Sequence, residues 1–237
     1  MNINIKSIKK KLLKVLILIA IIATIGVVNL ASISSNFYPI KGIDVSHHQG
    51  TIDWSQVPDK GISFAYIKAT EGSGHVDTKL SANYEGAKEN GLDYGFYHFL
   101  SLESPAQSQF DNYKAAIADY DMTLIPAIDV EWYGDMRQNK PDKELVIKQV
   151  QELSDLMEDE YGVKPLIYTT QTFYFTYLWG EFKDNPLWIR NTACTPVQKF
   201  AIWQYTEKLD FEGIVEFGRY VDGNVTNKKK LSTLYVK

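Results

Sequence analysis

The stretch that decides the fold is "LIPAIDVEW", Leu124 to Trp132: five apolar residues and then two carboxylates, Asp129 and Glu131. An apolar run of this length, entered from polar Asp121 and Thr123, reads as a strand buried on both faces, as in the parallel sheet of an α/β protein. Side chains at i and i+2 of a strand share a face. Asp129 and Glu131 therefore project together where the strand emerges, with Val130 turned back into the packing. Two carboxyls that close disfavour joint ionisation, so one keeps its proton to higher pH. Such a pair is what acid/base chemistry uses. A D-x-E triplet also arises in solvated loops and at helix N-termini, so its neighbours have to decide.

Outward from that strand, apolar runs alternate with amphipathic stretches, the pattern of βα units. "KGIDVS" (Lys41 to Ser46), "ISFAYIKAT" (Ile62 to Thr70), "LDYGFYHF" (Leu92 to Phe99) and "KPLIYTT" (Lys164 to Thr170) read as further strands. Helices are expected across Asp77 to Gly91, from about Ser104 to Tyr120, and over Lys140 to Gly162, where Leu145, Val146, Val150, Leu153 and Met157 form one stripe. The last strands, "PLWIR", "FAIWQYT" and "GRYVDGNV", have little helix between them. Five βα units followed by a strand-rich remainder predict an α/β fold, an irregular TIM-like barrel. In such barrels the active site lies at the C-terminal ends of the strands. Those ends carry Asp44, Lys68 with Glu71, Tyr97 with His98, Asp129 with Glu131, Tyr168, Trp188, Gln204 and Asp222.

The 237 residues suit one such domain, and the formal net charge is −4. The first forty residues hold five lysines and no acid, leaving 20 Lys and Arg against 29 Asp and Glu, a balance of −9, in residues 41–237. That argues against nucleic acid as a partner. The only cysteine, Cys194, excludes an internal disulfide and a Cys-rich metal site, and reads as a buried structural thiol. Lys6 to Lys14 precede a fourteen-residue apolar run, Val15 to Val28, short for a membrane span of about 20 residues and suited to an export signal. Residues 1–35 are therefore read as an export signal or an N-terminal membrane anchor, cleaved or retained, residues 36–40 as a short linker and residues 41–237 as the catalytic domain. The domain is expected to work outside the cytoplasm, secreted or tethered to the outer face of the membrane, as a monomer whose only membrane contact is the N-terminal segment.

These residues resemble the family 25 glycoside hydrolases, the lysozymes that act as N,O-diacetylmuramidases. The matching stretches are "GIDVSHHQGTIDW" at Gly42, "FAYIKATEG" at Phe64, "GLDYGFYHF" at Gly91, "PAIDVEW" at Pro126, "PLIYTT" at Pro165 and "WQYT" at Trp203. The resemblance implies a (β/α)5(β)3 barrel without cofactor or metal. It also implies hydrolysis of the β-1,4 bond between N-acetylmuramic acid and N-acetylglucosamine in peptidoglycan glycan strands. It carries the general acid onto Glu131 and supporting carboxylates onto Asp129, Asp44 and Asp222. Where the family pattern follows the sixth-strand tryptophan with a small residue and a tyrosine, this chain has Ile189, Arg190 and Asn191 after Trp188.

Glycoside cleavage needs a proton for the leaving oxygen and stabilisation of an oxocarbenium-like carbon. Asp129 and Glu131 approach from one side, so the group facing the anomeric carbon comes from elsewhere: Asp44, Asp222 or the substrate's own 2-acetamido oxygen, the last favoured with Asp129 orienting it. Tyr97, Tyr168 and Trp188 fit a sugar platform, with Gln204 and His98 as further substrate contacts and Trp203 assigned to the core. Lys68 and Glu71 read as a structural ion pair, and the tail "NKKKLSTLYVK" as a solvated end, with contact to anionic wall polymer as the alternative. Two other classes stay open: a metal-dependent wall hydrolase or deacetylase on Asp44, His47, His48 and His98, and a glycan-binding domain without turnover.

Overall fold

The structure, a computed structural model, describes residues 10, 11, 13–17 and 30–236. Most of the apolar run from Val15 to Val28 lies outside the described residues. Among the described residues no helix is long and apolar enough to cross a membrane.

Eight strands close into a barrel. β1 (Ile40–Val45) pairs in parallel with β2 (Ile62–Glu71), and the parallel order continues through β4 (Asp93–Phe99), β5 (Ala127–Asp129), β6 (Leu166–Thr170), β7 (Leu187–Arg190) and β8 (Ile202–Asp210). β9 (Tyr220–Thr226) runs antiparallel to both β8 and β1 and closes the ring. Three 3-10 turns join β1 to β2. The next crossovers are α1 (Leu80–Glu89), α2 (Ala106–Ala116), α3 (Lys143–Tyr161) and α4 (Gln171–Phe173), which runs into a π turn at Tyr174–Leu178. No helix separates β7, β8 and β9, so the barrel is irregular as the sequence predicts.

The alternation of each strand explains the layering. Ile43 and Val45, Ala65 and Ile67, Ile128 and Val130 point outward against the helices. Phe64, Tyr66, Ala127, Leu166, Tyr168 and Trp188 fill the interior. Gly42 and Gly95 leave room for this: a Cβ at Gly42 would sit 2.4 Å from the Phe64 ring, and one at Gly95 2.8 Å from Tyr66. The clearest helix of the sequence is capped as its ends demand. The Asp142 side chain accepts from the Leu145 N–H, and Gly162 takes the left-handed conformation at φ 70°.

Several elements depart from the sequence reading. A two-residue strand, β3 (His75–Val76), folds back on β2, too short to show periodicity. The second helix ends at Ala116. The domain begins before residue 41: residues 30–35 are helical, Ala31 is buried against Ile189, Phe200, Trp203 and Val225, and Tyr38 packs on Phe200 and Trp203. This helix covers the outer face of β7–β9, which no crossover helix shields. The tail is not a solvated end. After α5 (Lys228–Leu231), Leu231 and Leu234 enter the barrel interior, the Ile125 and Val236 N–H groups bond to Leu234 and Thr123 carbonyls, and the Tyr235 hydroxyl donates to Asp93. Burying each leucine stabilises this closure by about 1.5–3 kcal/mol. Cys194 is only half-buried, beside the Asn191 amide.

Candidate active site

Every candidate acid sits at an inward position near the C-terminal ends of the parallel strands. β5 delivers Asp129 and, two residues beyond its end, Glu131. β1 delivers Asp44, whose register partner on β9 is Asp222. Around the ring β9 stands four strands from β5 in either direction, so Asp222 faces the Asp129–Glu131 pair across the mouth. The cavity between them measures about 190 Å³ and is lined by all four acids with Lys68, Tyr97, Tyr168 and Trp188.

The two pairs are held differently. Asp44 Oδ2 accepts from Gln204 Nε2 at 2.9 Å and from Asn224 Nδ2 at 2.6 Å. Gln204 in turn accepts from the Tyr168 hydroxyl at 3.0 Å, and Asn224 accepts from Trp188 Nε1 at 2.7 Å. Asp129 is 7% exposed, and its Oδ1 is buried without a hydrogen-bond partner. Burial pushes the Asp129 carboxyl well above the ordinary range, and the neighbouring Glu131 charge adds to it. Glu131 is also raised, first by burial and then by Asp222, against the pull of Arg190, whose Nη1 lies 3.8 Å from Glu131 Oε2. Asp129 is the deeper member of the pair, and the two carboxyls disfavour each other's ionisation. Burial, with Asp222 beside it, raises Asp44, and Asp222 itself is pushed up to about 6.

The other sequence candidates divide. Tyr97, Tyr168 and Trp188 line the cavity; Trp188 packs edge-on against Tyr168 at 4.7 Å and against Tyr97 at 6.5 Å between ring centroids. Gln204 does not reach the cavity and positions Asp44 instead. His98 is 0% exposed, with Nδ1 on Thr70 Oγ1 and Nε2 on Gln109 Oε1, so a sugar cannot touch it. Burial lowers it to about 4, and it is a neutral strut. Trp203 lies outside the barrel wall, its indole N–H on the Asn191 carbonyl. Lys68 pairs with Glu71 at 2.6 Å. Sequence reasoning missed Asn224 and Arg190. Asn224 stands at i+2 from Asp222, the same spacing that marked Asp129 and Glu131. Arg190 shares the inward face with Trp188 and pairs with Glu207 as well as Glu131.

The histidine set Asp44, His47, His48 and His98 is not assembled, because both His98 nitrogens are engaged elsewhere. A different group, His47, His75 and Asp77, has ligating atoms within 4.8 Å of one another. Asp77 Oδ2 takes the His47 backbone N–H at 3.0 Å and lies 2.7 Å from His47 Nδ1, which ties the loop after β1 to β3.

A barrel with carboxyl pairs on opposite lips of an aromatic-lined mouth is matched by known sequences. The model of glycosyl hydrolases family 25 covers residues 43–214. The chain belongs to glycosyl hydrolase family 25. This hydrolase is 36% identical over 200 residues to the uncharacterized protein YegX of Escherichia coli, across 80% of this chain and 70% of that protein. It is 33% identical over 178 residues to an autolytic lysozyme of Clostridium acetobutylicum, across 74% of this chain and 53% of that protein. Among solved structures, a family 25 glycosyl hydrolase from Bacillus anthracis superposes with a TM-score of 0.75 at 33% identity, covering 83% of this chain and 94% of that one. The chain is accordingly a glycoside hydrolase.

Proposed function

We propose that this hydrolase is a muramidase that cuts the β-1,4 bond between N-acetylmuramic acid and N-acetylglucosamine of peptidoglycan, with Glu131 as the general acid. The observation that carries the reading is the buried, unpartnered Oδ1 of Asp129 next to Glu131. A buried acceptor without a donor costs about 1–3 kcal/mol, and the 2-acetamido N–H of a bound sugar supplies the missing donor. That bond favours the Asp129 carboxylate and moves the pair's single proton to Glu131. Glu131 donates it to the glycosidic oxygen as the C1–O bond breaks, and the acetamido oxygen bonds to C1. Water then opens this intermediate, with Glu131 taking back a proton. Asp222, across the mouth, stabilises the developing positive charge, and Asp44 is fixed behind it by Gln204 and Asn224. The proteins named lysozyme and muramidase among its relatives support the substrate.

The site of action is proposed to be outside the cytoplasm, with the leader retained. Ala31 is 1% and Ser35 5% exposed, so a cut near these small residues would remove packed surface. The experiment is borohydride reduction and mass analysis of fragments released from purified wall. Reduced muramic acid at the new ends is expected; reduced glucosamine ends contradict the proposal. Turnover is expected to survive EDTA, and a loss restored by zinc would move the chemistry to the His47, His75 and Asp77 group.

A further inference from the structure

Beside the catalytic mouth one set of side chains has no part in the reaction. His47 opens the 3-10 turn (His47–Gln49) that follows β1, His75 belongs to β3, and Asp77 lies one residue past it. Their ligating atoms lie within 4.8 Å of one another. The three are held from separate directions. Asp77, with a fully buried side chain, accepts the His47 N–H on Oδ2 at 3.0 Å and the Lys79 N–H on Oδ1 at 2.9 Å. Asn112 of α2 donates to the Gly72 and His75 carbonyls at 3.0 and 3.1 Å, which fixes the β2–β3 hairpin that carries His75. The His75 ring is exposed and stands edge-on to the His47 ring, 6.0 Å between centroids.

A brace between the loop and the hairpin needs only His47 and Asp77, whose Nδ1 and Oδ2 are 2.7 Å apart. His75 adds a second imidazole beside the same carboxylate. Two imidazoles and one carboxylate are the donor set of a transition metal such as zinc, whereas calcium and magnesium take oxygen ligands. Zinc bonds of about 2.0–2.2 Å hold tetrahedral ligand atoms about 3.3 Å apart. That spacing falls between the 2.7 Å of the His47–Asp77 pair and the 4.8 Å limit of the group. Turning the exposed His75 ring inward and easing His47 Nδ1 off its hydrogen bond completes the geometry. The backbone N–H groups on Asp77 supply the outer bonds that orient a ligating carboxylate. Glu71, opposite His75 in the β2–β3 ladder, is taken up by Lys68 and stands outside the group.

We propose that His47, His75 and Asp77 bind one zinc-type divalent cation, which clamps the loop after β1 to the β2–β3 hairpin. Ser46, His48 and Gln49 of that loop line the catalytic cavity, so the ion stiffens one wall of the cleft while the carboxyls carry the reaction. The test is titration of the untagged full chain with zinc and with cobalt, read by calorimetry, visible absorption, thermal melts and hydrogen exchange. One ion per chain is expected, with the visible bands of four-coordinate cobalt. Zinc a hundredfold above Kd should raise Tm by about 5–10 °C and slow exchange at residues 46–50. His75→Gln, at an exposed position, should leave the metal-free Tm unchanged, raise Kd more than about tenfold and abolish the slowed exchange. His47→Gln should weaken binding likewise, and His48→Gln should bind zinc as the wild type does. Absence of stoichiometric binding, or equal affinity in wild type and His75→Gln, overturns the site. Loss of binding in His48→Gln with His75→Gln unaffected places the ion elsewhere and overturns it as well. Binding at these residues without slowed exchange in the loop overturns the clamp.

Discussion

The two carboxyl pairs at the mouth look alike in sequence and differ in support. Asp44 is anchored by two amide donors whose own partners reach back to Tyr168 and Trp188. Asp129, just as deep, has an oxygen that no protein group satisfies. The anchored carboxyl belongs to a closed network, and such networks fix geometry. The open one is left for a donor from outside the protein, such as a bound sugar supplies. Sites store unmet demand of this kind where binding is to be converted into chemistry.

The comparison can be broken most severely at Glu131. Glu131→Gln keeps the shape but has no proton to give, and turnover on wall glycan is expected to fall by about 10² or more, the usual size of general acid catalysis, while glycan binding persists. Asp129→Asn is next: losing the carboxylate that orients the acetamido group is expected to lower turnover by up to about 10². Stability should separate the pairs more sharply than activity does. Asp44→Ala strands the Gln204 and Asn224 donors, a cost of about 1–3 kcal/mol, and about 2–4 °C of Tm per kcal/mol in a domain this size. Asp129→Ala strands no donor and removes a desolvated carboxyl, so its Tm should stay at or above that of the wild type. Equal losses in a thermal melt would erase the distinction.

Arg190 gives the smallest and most specific effect. Its charge favours the Glu131 carboxylate and so lowers the pH to which Glu131 keeps its proton. Arg190→Ala should move the alkaline limb of kcat/KM upward. Asp222, which Arg190 also lowers, should carry the acid limb the same way. Glu207 competes for the guanidinium, so Glu207→Gln should move the alkaline limb downward. Peak kcat/KM should change by less than about tenfold, since half-exposed pairs are weak. Shifts of the same sign in both variants would exclude this arrangement.

How much of this was legible follows from period. The barrel strands announced themselves because apolar runs ended in acids, and the long stripe of α3 with Asp142 and Gly162 at its ends left little choice. Two-residue β3 and the helix at residues 30–35 are too short for any period to register. The tail's pairing with Thr123 and Ile125 joins chain segments more than a hundred residues apart, which local patterning does not encode. At the site, Asn224 could have been found by the same i, i+2 rule that found Glu131. His98 was misplaced because a strand-end histidine says nothing about Thr70 and Gln109, which enclose it. Arg190 was visible as a departure, but its two carboxylate partners come from β5 and β8, and only the closed barrel brings them together.

The central claim is that Glu131 protonates the leaving oxygen, and the demand for that proton depends on the leaving group. The decisive measurement is kcat/KM of Glu131→Gln relative to wild type on two substrates, wall-derived glycan and a dinitrophenyl glycoside whose leaving group departs without a proton. The account predicts a loss of about 10² or more on the glycan and little loss on the dinitrophenyl substrate. Equal losses on both would contradict it.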